Sequence, residues 1–453
     1  MKFDLGHPAD QSPASLASQR LRRAPRPKPV FSFPWAFTGL LAIFLVCTTV
    51  SESLENPGLL RVGYVCVGML GLVVMLGVAR CGLRLPPELF VYAGFVFWAA
   101  TTGLLCYSEA ETFFRGIIRI TQVGILLALV ATSSMWSRSA LPGFAGVVVL
   151  AVVLVGYGLL SGNFQLASEV REAHSRLIGT RATSLTTNAN TLGMTCFWSI
   201  VGLSFFWRAR GSKLLRTFSI ALVLPLLFGI TVSASRKAFL IVFVFMLAWL
   251  WFCYRKFLLR NLSALVVIGI VAGGGVLFAR TALEGTMLGY RLGVASNVGD
   301  QDTSTVTRLG FYEQGLSMLK ARPITGVGLA QFAAHSDIGL YSHSEYLEVF
   351  CNTGLVGGLL YFSMYIMAWR RLRFVQRFAI DPVLSYDAGV CRAALVAYAA
   401  VSVVIVQYMS FALMVLQGAI IGFAYGAEQY VRTRQRRPVR MPRPVLAPEG
   451  PAP

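Results

Sequence analysis

"LPGFAGVVVLAVVLVGYGLL", residues 141–160, is a run of twenty residues without a charged side chain. A helix of about 20 mainly apolar residues is long enough to cross the hydrocarbon core of a bilayer. Comparable runs recur along the whole chain, and they predict an all-α polytopic membrane protein with about 12 transmembrane helices. We place the spans near 34–50, 58–79, 88–107, 116–135, 141–160, 188–207, 217–234, 238–254, 261–279, 345–369, 386–407 and 410–429.

The composition and the distribution of charge agree with a membrane protein. Of 453 residues, 56% are hydrophobic and 13% are charged, whereas a soluble domain carries about 25% charged residues. The net charge of +20 is unevenly distributed, because 26 of the 40 Lys and Arg fall in the two tails and in alternate short loops. Basic residues concentrate in cytoplasmic loops. We therefore predict that both termini are cytoplasmic and that the excess charge sets orientation rather than nucleic acid binding.

The spans divide the chain into five segments. Residues 1–33 and 432–453 are predicted to be disordered basic cytoplasmic tails, and residues 34–279 to hold the first nine spans. Residues 345–431 hold the last three. Between them, residues 280–344 form a large outer loop, which is predicted to contain short helices.

One helix is predicted within this loop, at residues 304–323. Arg308 falls near its first turn, where the helix dipole disfavours a cation. Such a local conflict is typical of functional sites, although a solvated helix face is an alternative. The predicted apolar face consists of Leu309, Tyr312, Leu316 and Leu319.

A histidine stands where the tenth span begins. Ser342-His343-Ser344-Glu345 has the spacing of a capping box, which predicts Ser342 as the cap and His343 as the first helical residue. The positive end of a helix disfavours a protonated imidazole, so His343 is predicted to be neutral. A neutral imidazole can accept a proton from a hydroxyl group. The alternative is a surface histidine beside an ordinary cap.

Two adjacent cations, Arg236 and Lys237, lie at an outer hairpin in "ITVSASRKAF", residues 230–239. Short outer loops of this chain are otherwise poor in basic residues. A guanidinium group suits an anion site, because its fork of N–H donors matches phosphate oxygens. The alternative is that both side chains extend from the membrane surface toward water.

Further polar and flexible positions lie on the same predicted side. Gly326 and Gly328 form a tight turn that allows close approach of the backbone, or they belong to an ordinary loop. Arg181 and Asn190 stand at the outer mouth of the sixth span. Either Asn190 or its neighbour Asn188 is alternatively the cap of that helix.

An acidic triplet, Asp300-Gln301-Asp302, has the D-x-D pattern of metal-dependent sugar-nucleotide transferases. The predicted topology places it on the outer side of the membrane, where sugar nucleotides are absent. We therefore predict no metal site.

The order and spacing of these elements resemble the bacterial O-antigen ligase and O-antigen polymerase superfamily, over about residues 180–365. Two positions depart from the family pattern, because Ser344 replaces the usual Asn and Asn352 replaces the usual Glu. The matching elements are Ser235-Arg236, Arg308, Pro323-x-x-Gly326-x-Gly328, His343-x-x-Tyr346-Leu347 and Gly354-Leu355-x-Gly357.

The resemblance implies a fold similar to C-type glycosyltransferases, in the bacterial inner membrane, with the active site on the periplasmic side. It implies transfer of a glycan from undecaprenyl pyrophosphate to a lipid or glycan acceptor, in lipopolysaccharide or other surface polysaccharide biosynthesis. Arg236 and Arg308 would bind the pyrophosphate, and His343 would deprotonate the acceptor hydroxyl. No metal or other cofactor is required. The remaining expected substrate contacts are Arg181, Asn190, Lys237, Gly326, Gly328, Glu345 and Tyr346.

Three other functions stay open at this point. A polymerase or a protein O-oligosaccharyltransferase would use the same chemistry with a different acceptor. A transporter belongs to a different class, and transporters tend to show internal repeats and polar sites at the middle of the membrane. Here the notable polar residues cluster at the predicted outer surface, and the sequence shows no repeat.

Overall fold

The computed structural model describes residues 34–82, 84–137, 139–161, 184–186, 188–208, 213–261, 263, 303–337 and 339–436. Thirteen α-helices and no β-strand lie within these ranges. In chain order the helices are α1 (Pro34–Leu54), α2 (Pro57–Cys81), α3 (Pro87–Cys106), α4 (Ala110–Ser137), α5 (Leu141–Leu160), α6 (Ala189–Ser204), α7 (Lys213–Val232), α8 (Arg236–Arg260), α9 (Thr303–Ala321), α10 (Phe332–His335), α11 (Glu345–Phe378), α12 (Pro382–Val401) and α13 (Phe411–Arg436).

Nine of the described helices are long and apolar enough to cross a membrane. Helices α1 and α7 contain shorter apolar stretches, Trp35–Ser51 and Arg216–Val232. Eleven of the twelve predicted spans correspond to these helices, which confirms the polytopic membrane fold. The other predicted span, 261–279, lies almost wholly outside the described residues, as do the predicted tail 1–33 and residues 437–453.

The connection between the last two spans is longer than predicted. Helix α12 ends at Val401 and α13 begins at Phe411, so residues 402–410 are not helical. The sequence places helix up to residue 407 because this stretch is apolar. Its backbone groups instead bond to residues of other helices, as described below.

Proline sets the start of several helices. It stands at the first or second position of α2, α3, α5 and α12. Proline is favoured there because the first helical N–H groups have no partner within the helix, and its fixed φ angle suits the helix. Asn56 and Asp381 add side-chain caps, accepting hydrogen bonds from Gly58 N and Val383 N.

Glycines bring α13 and α4 into close contact. Gly418, Gly422 and Gly426 repeat every four residues along one face of α13. A Cβ atom at Gly418 would lie 2.8 Å from the Leu127 carbonyl oxygen, and one at Gly426 would lie 2.5 Å from that of Met135. Small residues at this spacing let membrane helices pack backbone against backbone. The two helices therefore form a tight pair.

One end of the bundle holds the starts of α8 and α11 and the end of α12, which the predicted topology assigns to the outer side. We call it the His343 end. The N–H of Glu345, at the start of α11, donates to the carbonyl oxygen of Ser402 at the end of α12, at 2.8 Å. Lys237, at the start of α8, donates to the carbonyl oxygen of Val404. Helices α8 and α11 therefore start, and α12 ends, at this same end of the bundle, in the directions that the sequence predicts.

Buried charges at the opposite end are paired with one another. Arg371 of α11 donates to Glu88 of α3 at 2.6 Å and also forms an ion pair with Glu428 of α13. Glu428 in turn pairs with Arg432 at 2.7 Å. Buried carboxylates are costly unless they are paired, and these ion pairs join α3, α11 and α13.

Helix α9 confirms the helix that the sequence predicts in the outer loop, but its buried face differs. Phe311 is buried, and Gly315 lies so close to Leu347 of α11 that a Cβ atom there would be 2.5 Å from a Leu347 methyl carbon. Leu309 and Leu316 are 61% and 51% exposed. The face of α9 that packs on α11 is therefore that of Phe311 and Gly315, whereas Leu309 and Leu316 lie outside this contact.

Helix α11 is broken at Gly354, which has φ +68° and ψ −174°. At the break, the carbonyl oxygen of Cys351 accepts from Val327 N at 2.8 Å instead of from Leu355 N within the helix. Leu355 N donates instead to the carbonyl oxygen of Pro323, also at 2.8 Å. The loop after α9 thus exchanges backbone hydrogen bonds with the interrupted helix, which gives partners to groups that the break would otherwise leave unpaired.

Gly326 and Gly328 let the loop after α9 approach the broken part of α11 closely. Both have positive φ angles, of +70° and +107°, and a Cβ atom at Gly326 would overlap the carbonyl oxygen of Cys351. Their N–H groups donate to the carbonyl oxygens of Arg322 and Asn352, both at 3.0 Å. The Gly328 N–H therefore joins the loop to α11, whereas the Gly326 N–H closes a turn within the loop. The substrate-binding role of these two glycines stays a prediction.

We predict that Gly354→Ala destabilises the protein by at least about 2 kcal/mol, since alanine is strained at positive φ. Its methyl group would also overlap the Ile324 carbonyl oxygen. The midpoint of thermal unfolding in detergent measures the effect. The matched control is Gly71→Ala within α2, where no atom lies within 4 Å of the added carbon. Equal unfolding midpoints for the two variants would show that the break does not depend on Gly354.

Candidate functional site

His343 lies just before α11, not within it. Its φ angle is +57°, in the left-handed region, which costs a residue with a side chain about 1–2 kcal/mol. Ser344 is the cap, accepting from Leu347 N at 3.4 Å. The predicted capping box is therefore wrong, because Ser342 has other partners: its N–H donates to Glu348 Oε2 and its hydroxyl to the Ser344 carbonyl oxygen, both at 2.9 Å.

The imidazole of His343 is partly buried among aromatic rings and cations. Its ring centroid lies 4.1 Å from that of Tyr341 and 6.1 Å from that of Phe311. Partial burial, together with the nearby cations Lys237 and Arg308, lowers the pKa of His343 to about 4. The imidazole is therefore neutral at pH 7, as expected from the sequence, although burial and two cations are the cause here.

Arg308 lies on α9, in the second turn rather than near the first, because the helix begins at Thr303. It is half-buried. Close packing of Phe311 and Gly315 fixes α9 against α11, so Arg308 stands near His343. The structure thus brings together two candidate residues that are 35 positions apart in the sequence.

Arg236 is the first residue of α8, and Ser235 is its cap, accepting from Ala238 N at 3.4 Å. The Ser235 hydroxyl also donates to Asn190 Oδ1 at 3.2 Å, which brings the start of α6 beside the start of α8. Gly193 permits this approach, since a Cβ atom there would lie 2.7 Å from a serine hydroxyl of the α7–α8 turn. Asn190 therefore helps to place the helix that carries Arg236.

The cap of α6 is Asn188, which accepts from Asn190 N at 2.8 Å. This confirms one of the two interpretations of the asparagine pair. Arg181 lies outside the described residues, as do Asp300 and Asp302. Among the described residues, no three His, Cys, Asp or Glu are grouped as metal ligands.

Glu345 is fully buried and does not face the site. Its carboxylate accepts from the hydroxyls of Tyr361 and Tyr398, and from that of Ser402 at 3.0 Å. The predicted substrate contact of Glu345 is therefore wrong, because all three partners lie inside the bundle.

Tyr346 likewise contacts protein groups, on α12 and on the second part of α11. Its hydroxyl donates to the Ala399 carbonyl oxygen at 2.9 Å, and its ring stacks on Phe362 at 4.9 Å between centroids. The arrangement gives Tyr346 a structural role between α11 and α12, which differs from the predicted substrate contact.

Sequence reasoning missed three features of this region. Tyr341 packs on the histidine, Glu348 holds the turn before α11, and residues 402–410 contact α8, α9 and α11. A signal was present for Glu348, since a second carboxylate soon after Glu345 is unusual in an apolar helix that starts at a membrane surface. The other two carry no distinctive pattern.

Residues 220–362 match the family model described as O-antigen ligase. This segment holds α8, α9 and the start of α11, and therefore includes Arg236, Arg308 and His343. The match confirms the resemblance to the O-antigen ligase and O-antigen polymerase superfamily. No curated protein matches the chain significantly.

We predict that Glu345→Ala lowers the free energy of unfolding by about 3 kcal/mol or more, because three buried hydroxyl groups lose their acceptor. Thermal or denaturant unfolding in detergent measures this. Glu345→Gln, which keeps one acceptor oxygen, should lose less. The control is Glu111→Ala, whose side chain is 75% exposed in an ion pair with Arg115 and should leave stability unchanged. A loss no larger than that of the control would contradict the role assigned to Glu345.

Proposed function

We propose that this membrane protein is a glycosyltransferase of the O-antigen ligase type, which transfers a glycan from undecaprenyl pyrophosphate to an acceptor hydroxyl. The family match supports this class of activity in surface polysaccharide biosynthesis. The observation that carries the proposal is a neutral histidine beside two cations, within the matched segment. Such a site combines a base for a hydroxyl group with binding of an anionic leaving group.

In the proposed reaction, His343 is the general base. Its pKa of about 4 keeps a ring nitrogen free to take the proton of the acceptor hydroxyl at neutral pH. The acceptor oxygen then forms a bond to the anomeric carbon of the glycan. The bond between that carbon and the pyrophosphate oxygen breaks, and its electron pair leaves with undecaprenyl pyrophosphate.

Arg308, Arg236 and Lys237 are proposed to bind the pyrophosphate and to stabilise the charge that develops on it. Cations already in place where charge appears lower the barrier most effectively. A guanidinium group can bind two phosphate oxygens at once. The start of α8 lies at the same end of the bundle, and the partial positive charge of a helix start also favours an anion.

We assign the His343 end to the periplasmic side of the inner membrane, with both termini in the cytoplasm. Basic residues in the last turns of α2, α8 and α11, namely Arg80, Arg260 and Arg377, support this assignment. These helices end at the side opposite to His343, and basic residues concentrate on the cytoplasmic side. Arg181 and Asn190 remain proposed contacts of the donor.

The transfer assay tests the proposal. Purified protein is incubated with undecaprenyl-pyrophosphate glycan, alone and with a lipid acceptor. We expect transfer to the lipid, and a loss of about 10²–10⁴-fold in rate for His343→Ala. Arg308→Ala and Arg236→Ala should also lose activity. The matched control is His335→Ala, an exposed histidine of the same loop, which should keep it.

Other outcomes of this assay separate the alternatives. A lengthening glycan ladder from the donor alone, lost in His343→Ala, would mean a polymerase. Transfer to a serine or threonine of an added protein would mean protein glycosylation. Full activity of both His343→Ala and Arg308→Ala, in a protein that moves solute across vesicles, would support a transporter instead.

The pH dependence follows from the state of His343. Because its pKa is lowered to about 4, the base is unprotonated above that pH, and kcat/KM should be flat between about pH 6 and pH 8. It should fall as the pH is lowered through about 4. Lys237→Met removes a cation that disfavours the imidazolium, so the fall should begin at higher pH. A fall in kcat/KM already near pH 6.5 in the unaltered protein would contradict this assignment.

A further inference from the structure

Three consecutive backbone carbonyl groups, those of residues 402–404, each accept a hydrogen bond from a different part of the candidate site. The first accepts from the N–H of Glu345 at 2.8 Å. The second accepts from the hydroxyl of Tyr312 at 2.7 Å. The third accepts from the ammonium group of Lys237. We call residues 402–404 the bridging segment.

Each of these donors lies close in sequence to one candidate catalytic residue. Glu345 follows His343 by two residues at the start of α11, and Lys237 directly follows Arg236 on α8. Tyr312 stands four residues after Arg308 on α9, and residues four apart lie on the same side of a helix. The bridging segment is therefore joined to all three elements that carry the proposed active site.

The bridging segment is itself held in place from inside the bundle. Ser402 is fully buried, and its hydroxyl donates to Glu345 Oε2 at 3.0 Å. Its N–H donates to the carbonyl oxygen of Tyr398 at 2.9 Å. The Tyr398 hydroxyl also donates to the Glu345 carboxylate. A segment whose own groups are hydrogen-bonded in this way can fix the positions of the residues that it contacts.

We propose that the bridging segment sets the relative positions of His343, Arg308 and Arg236, and that Tyr312 is the positioning residue for Arg308. This inference rests on the proposed function. A displacement of about 1 Å within a catalytic site can reduce the rate about 10²-fold, so an anchor between α9 and the bridging segment matters beyond its own bond strength. Lys237 can hold the segment and still contact a phosphate, because an ammonium group has three donors.

The test is Tyr312→Phe, which removes only the hydroxyl. In the transfer assay we expect kcat to fall about three- to tenfold, with KM for the donor changed less, because Arg308 is misplaced mainly for the departing pyrophosphate. Arg308→Lys replaces the guanidinium group that Tyr312 positions with an ammonium group on a shorter side chain. In the Arg308→Lys background, Tyr312→Phe should therefore cause little further loss.

A merely structural role would give a different result. If Tyr312→Phe only lowered the folded fraction, the losses in kcat would multiply in the Arg308→Lys background, and this outcome would overturn the proposal. The matched control is Tyr386→Phe, whose hydroxyl donates to the Ser204 carbonyl oxygen at 2.9 Å near the far end of α12. It should leave the kinetics unchanged.

Hydrogen exchange gives a reading that does not depend on catalysis. If the hydrogen bond from Tyr312 to the bridging segment anchors α9, the amide protons of α9 should exchange faster in Tyr312→Phe than in the unaltered protein. Unchanged exchange would overturn the anchoring. Failure of the proposed function would instead appear as no transfer by the unaltered protein with any acceptor, so the two failures are distinguishable.

Discussion

The break in α11 at Gly354 is the constraint on which the candidate site depends. It turns the first part of the helix, and His343 with it, away from the direction of the longer second part. Because Leu355 donates to Pro323 and Val327 donates to the Cys351 carbonyl oxygen, the break and the loop after α9 share one set of backbone bonds. The histidine and the helix that carries Arg308 therefore hold a common position.

Two buried carboxylates stabilise the start of this helix. Glu345 accepts from hydroxyl groups inside the bundle, and Glu348 accepts from Ser342 N at 2.9 Å and from the Asn352 side chain at 3.2 Å. Left-handed backbone at His343 is unfavourable on its own and persists only where its surroundings fix it. The bonds on both sides of the histidine supply that fixation, since Ser342 and Ser344 are both held.

The membrane spans could be predicted from the sequence, because hydropathy is a local signal. The roles of His343, Arg308 and Arg236 stay predictions. The break could not be predicted, since it joins Pro323 to Leu355 through backbone atoms that leave no periodic pattern. The packed face of α9 was missed because Gly315 carries no hydrophobic signal. The cap is Ser344 and not Ser342, because the Ser342 hydroxyl bonds to the backbone of Ser344 while the Ser344 hydroxyl accepts from Leu347 N.

The separation of charge around His343 has a consequence for the proposed reaction. The nearby carboxylates of Glu345 and Glu348 are buried and bonded to internal donors, whereas Arg308 and Lys237 act on the imidazole. Without a bound anion, partial burial and these two cations together hold the pKa of His343 well below its usual value. A pyrophosphate between them would add negative charge nearby and would favour the imidazolium. Donor binding would therefore strengthen the base, so that His343 takes the acceptor proton most readily when the leaving group is already in place.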